Sequence, residues 1–154
     1  MQFINYFFAS LIAFFGLFIG ILLVKIAPEE QKPLQNYFIS ARNSLLLIIF
    51  IFLAFYYFNK LIYISALAGY FMFLLFVEHK VADLYKKTML TYAVLGILFF
   101  LSLKNANLFA MESSLILLYG LPTASLLYNK KEKSHKFIFY NLIFIAISNI
   151  LFFI

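Results

Sequence analysis

The chain contains no cysteine and no tryptophan, and among its 154 residues it has only two histidines and six acids. Without thiols there are no disulfides, thiolate metal centres or thiol nucleophiles. Asp83 is the only aspartate, which excludes an intramembrane protease built on paired aspartates. No G-x-S-x-G elbow and no H-E-x-x-H run occurs. All five glycines (Gly16, Gly20, Gly69, Gly96, Gly120) fall inside apolar runs, so no glycine-rich phosphate loop can form. The sequence therefore points away from an enzyme, and no catalytic residue, metal ligand set or cofactor is expected. Charge is scarce as well. Only 12% of residues are charged and 66% are hydrophobic, against about a quarter and about half in ordinary soluble domains.

What is present is oil. A helix that crosses about 30 Å of hydrocarbon needs about 20 apolar residues. Six runs meet or approach that length, at about 3 to 24, 37 to 58, 61 to 77, 88 to 103, 113 to 128 and 137 to 154. A barrel strand would alternate apolar and polar residues, and these runs do not. The expected fold is an all-α membrane protein, a bundle of six transmembrane helices in one domain over 1–154 with no separate soluble domain. The last four runs are at or below the short end of the range. They must recruit flanking residues or sit in a locally thin bilayer.

The charged seams give the orientation, because Lys and Arg are retained on the cytoplasmic side. The first, third and fifth seams carry Lys25, Lys32 and Arg42, then Lys80, Lys86 and Lys87, then Lys130, Lys131, Lys133 and Lys136. Only Lys60 and Lys104 lie in the second and fourth. Ten against two places both termini on the non-cytoplasmic side of a multi-pass protein, with the cell membrane as the expected location. The net charge of +6 is spread through seams and forms no continuous basic-aromatic face, which argues against nucleic acid. Anionic headgroups at the cytoplasmic seams are the expected lipid partner.

Small residues mark the expected helix contacts. Ala9, Ala13, Gly16 and Gly20 share one face of the first span, and Ser65 and Gly69 are four apart in the third. Such faces suit packing within the bundle, or a homo- or hetero-oligomer. Pro122 in GLPTAS removes one backbone hydrogen bond and is the candidate hinge. Thr123 or Ser125 could satisfy the freed carbonyls.

The polar groups sort by depth. Asn36, Arg42, Asn43, Glu78, His79, Asp83 and Asn141 fall at the cytoplasmic end and form a candidate ligand pocket, in which Arg42, the only arginine, would hold an anionic group. Arg42 could equally snorkel to the interface. A helix continued through the third seam would put His79 and Asp83 on one face. That pair could start a metal site or a general base, and a solvated surface pair is the plainer reading. Glu112 falls at the outer rim, and the middle is expected to be apolar apart from the hydroxyls of Tyr70 and Tyr119. A dry middle argues against a continuous pore. The leading expectation is a non-catalytic polytopic protein, a small subunit or scaffold of a membrane complex. The alternative is a small transporter or solute-binding component using the cytoplasm-facing pocket, and an interfacial lipid-modifying enzyme comes last.

Overall fold

The computed structural model describes residues 2–129 and 134–154, so Lys130, Lys131 and Lys133 of the fifth seam lie outside the described residues. The described residues form eight α-helices and no strand: α1 (Phe3–Ile26), α2 (Pro28–Gln31), α3 (Gln35–Tyr56), α4 (Leu61–Lys80), α5 (Leu84–Ser102), α6 (Ala106–Ser125), α7 (Ser134–Asn141) and α8 (Ile143–Phe152). Six helical stretches are long and apolar enough to cross a membrane: α1, α3, α4, α5, α6 and the run His135–Phe152 formed by α7 and α8.

The caps explain where these helices begin. Pro28 opens α2, where its missing N–H costs nothing, and Glu29 and Glu30 follow in the first turn at the positive dipole end. The Asp83 side chain accepts from the Tyr85 backbone N–H at 3.1 Å and starts α5. Asn105 accepts from the N–H groups of Asn107 and Leu108 at 2.9 and 3.1 Å and starts α6. These caps make the helices longer than the apolar runs they contain. The helix over the fifth apolar run begins at Ala106, that over the fourth at Leu84, and that over the third runs on to Lys80. The three are 19 or 20 residues long, close to the length that a membrane crossing requires.

The rings of Phe3 and Phe152 lie 5.4 Å apart, so the first and last helices end together at what we call the termini end. The other is the seam end, where α1 passes into α2 and α4 into α5. α6 is the hub and lies against α1, α3 and α5, while α8 packs on α5 and α1. Burial follows this order, covering 56% of the most apolar stretch of α6 but only 17% of that of α4. α4 is therefore an outer helix, packed mainly on α3 and α5.

The closest approach is between α1 and α6. A Cβ added to Gly20 would lie 2.7 Å from the Leu121 carbonyl oxygen, and one added to Gly120 would lie 2.5 Å from the Leu17 nitrogen. Gly16 meets the Leu117 backbone in the same way. Ala13 is buried beside them and Ala9 is half-buried. The Ser65 and Gly69 pair is different: both are exposed, and a Cβ on Gly69 would touch nothing. Aromatic rings fill the rest of the interior, with Phe99 against Phe109 at 4.8 Å and Tyr92 against Tyr119 at 5.7 Å.

Candidate functional site

Arg42 is on the third turn of α3, about 10 Å along the axis from Gln35 at 1.5 Å per residue. Its position among apolar neighbours would strand a charge in oil unless a partner met it. Glu78, near the C-terminal end of α4, is that partner, and it accepts from Arg42 Nη2 at 2.5 Å. Lys87 on the first turn of α5 completes the cluster, with Nζ 3.3 Å from the same Glu78 Oε1. Arg42 does not snorkel to the interface, because it is 4% exposed and spends its length on Glu78. Two cations meet one anion, which leaves one net positive charge.

Two cavities meet at this cluster. The outer one, about 370 Å³, is bordered by Gln35, Ile39, Arg42, Glu78, Leu84 and Lys87. The inner one, about 160 Å³, is bordered by Arg42, Asn43, Glu78, Thr91 and Tyr119 among apolar side chains from α3 and α4. The ion pair thus stands between a mouth at the seam end and a deeper chamber reaching the hub helix. A net-positive site with an apolar wall suits a small anion that carries an apolar part.

Of the residues expected to form the pocket, Arg42, Asn43 and Glu78 come together. Asn36 is exposed and borders neither cavity. His79 is also exposed, and α4 stops at Lys80 before Asp83 caps α5, so the two do not share one helical face. Asn141 turns inward to α5, where Nδ2 donates to the Phe137 carbonyl at 2.8 Å and lies 3.5 Å from the Thr88 hydroxyl. Among the described residues no group of three or more His, Asp or Glu side chains is placed to hold a metal. Pro122 is buried three residues before the end of α6, which stays continuous through it. Thr123 and Ser125 donate to the Tyr119 and Leu121 carbonyls at 2.7 and 3.0 Å.

Four site residues were not expected there: Gln35, Lys87, Thr91 and Tyr119. Lys87 and Thr91 are one turn apart on α5, a spacing that would have shown them as one face. The larger departure is Glu112. It is fully buried in the second turn of α6 instead of sitting at the rim, and neither carboxylate oxygen has a hydrogen-bond partner among the described residues. The interior is therefore not free of ionisable groups. Set against protein-family models, curated proteins and solved structures, the chain matches none.

Proposed function

We propose that this chain is a multi-pass protein of the cell membrane, with the seam end in the cytoplasm, that binds a small monoanion at Arg42 and carries it across the bilayer. The observation supporting this reading is the buried Arg42 guanidinium placed between two cavities with Glu78 and Lys87 beside it. A charge is costly to keep in an apolar helix, and a structural strut would need no chamber on either side of it. Among the described residues Arg42 donates only to Glu78, which leaves guanidinium donors for a carboxylate or sulfonate. The ion pair then acts as a gate that an arriving anion opens by competing with Glu78.

Methanesulfonate is a suitable probe, since it stays anionic at every working pH. Titrated into the purified protein, it should bind at least about tenfold more weakly to Arg42→Met, the loss expected for one charge-assisted hydrogen bond. Equal affinity in the two proteins would remove the site.

A second reading, a subunit or scaffold of a membrane complex, is supported by α4. Its outer face carries Ser65 and Gly69 in the open, a surface on which another helix could approach closely. Purification in mild detergent as a monomer with no companion would count against it.

A further inference from the structure

We propose that Glu112 carries a proton through the bundle together with the anion held at Arg42, so that transport is electroneutral. The inference rests on the reading of the Arg42 pocket as a solute site. Glu112 is six residues into α6, about 9 Å along its axis from the termini end, and seven residues, about 10 Å, short of Tyr119 at the inner chamber. Residues four, seven and eleven positions apart lie on one helical face, so Glu112, Ile116, Tyr119 and Thr123 form one stripe, and all four are buried. That stripe joins the termini end to the chamber. Glu112 is its only acid, and of all the charged side chains in the described helices it is the one furthest from a helix end other than Arg42.

The surroundings favour the protonated acid in this closed arrangement. The inward-turned titratable or charged side chains on the elements packed against α6 are Tyr6 on α1, Arg42 on α3 with Tyr57 just past its end, and Tyr85, Lys87 and Tyr92 on α5. Both cations are engaged with Glu78 at the seam end. No tyrosine hydroxyl donates to Glu112 among the described residues. A lone carboxylate in such a place takes up a proton rather than stay charged. Its charged form needs water, so an arrangement that wets the stripe from one side releases the proton there, as COOH becomes COO⁻ and H⁺ passes to water. A monoanion moving with that proton adds no net charge to the oil, which removes the largest cost of crossing it.

The test uses the full chain in liposomes with radiolabelled methanesulfonate, which has no membrane-permeant acid form at working pH. With one proton per anion, a gradient of one pH unit should accumulate the probe about tenfold on the alkaline side. Glu112→Gln should lower that ratio to about one while keeping methanesulfonate exchange at equal pH. Glu112→Asp, which keeps the acid, should retain accumulation and shows that loss in the Gln variant is not misfolding. Accumulation unchanged in Glu112→Gln, or absent from the unaltered protein while exchange persists, would overturn the coupling and leave the Arg42 site standing. Absence of binding and exchange in the unaltered protein would overturn both.

Discussion

Lys87 closes the end of α4 by two contacts with one residue. Its ammonium donates to the Glu78 main-chain carbonyl at 2.9 Å and lies 3.3 Å from the carboxylate oxygen that Arg42 also holds. A cation at a helix C-terminus meets the negative end of the macrodipole, so Lys87 is useful there whether or not the carboxylate is present. Among the described residues Arg42 has no such second partner.

The two ends of the ion pair should therefore respond unequally to substitution. Glu78→Gln leaves a buried guanidinium beside a second cation with no countercharge, and should cost about 3 kcal/mol. Arg42→Met leaves Glu78 with Lys87 and with a side chain that is 33% exposed, and should cost about 1 kcal/mol. Denaturation midpoints of the two variants in the same detergent decide the order. If Arg42→Met proves the weaker protein, the pair is not organised around a stranded arginine.

Gly16→Ala and Gly120→Ala place a methyl group against backbone atoms of the opposite helix, where no side chain can yield. Each should destabilise the α1–α6 contact by about 1–3 kcal/mol. Gly69→Ala meets open space and should stay within about 0.5 kcal/mol of the original, apart from the usual helical gain of alanine. Thermal unfolding followed by circular dichroism separates these cases. A Gly69→Ala variant that fails to assemble with a co-purifying protein, while itself stable, would favour the subunit reading.

The six helices are legible in the sequence because hydropathy over about 20 residues needs no knowledge of tertiary contacts. Charge is a poor marker of a helix end in this chain. Glu78, Lys87 and Glu112 all lie within helices, the first two in one cluster with Arg42 and the third enclosed by packing. Arg42 stands out because it is the only arginine and adjoins a long apolar run, but nothing local shows that Glu78, 36 positions away, will meet it. Gly16 and Gly20 reveal a close contact without naming its partner. Only the fold supplies Leu117 and Gly120 opposite them.

At the termini end Lys104 ties the outer helix to the bundle. Its ammonium donates to the Tyr63 hydroxyl at 2.8 Å, and this bond raises the lysine above its ordinary value of 10.5. A group raised on folding contributes stability that is complete below 10.5 and fades as pH rises through the higher folded value. The α4 tie should thus persist across neutral pH and be lost as pH rises above 10.5 through the raised lysine value. Tyr63→Phe should remove that alkaline dependence and speed hydrogen exchange in the first turns of α4 at every lower pH. Exchange rates equal to those of the parent would show that α4 is held by packing alone.

The absence of native cysteine makes the direction of insertion directly measurable, since any introduced thiol is the only one in the chain. Lys80 and Asn107 are both exposed and lie at opposite ends of the bundle, one closing α4 and the other opening α6. In the proposed orientation the Lys80 end, which carries the excess of basic residues, faces the cytoplasm. In intact cells a membrane-impermeant maleimide should then label Asn107→Cys and leave Lys80→Cys untouched until the membrane is opened. The reverse pattern would put the Arg42 mouth outside, so that the anion enters from the medium. Labelling of both sites in intact cells would remove the membrane-spanning arrangement, and with it the physical need for Arg42 and Glu112 to be buried as they are.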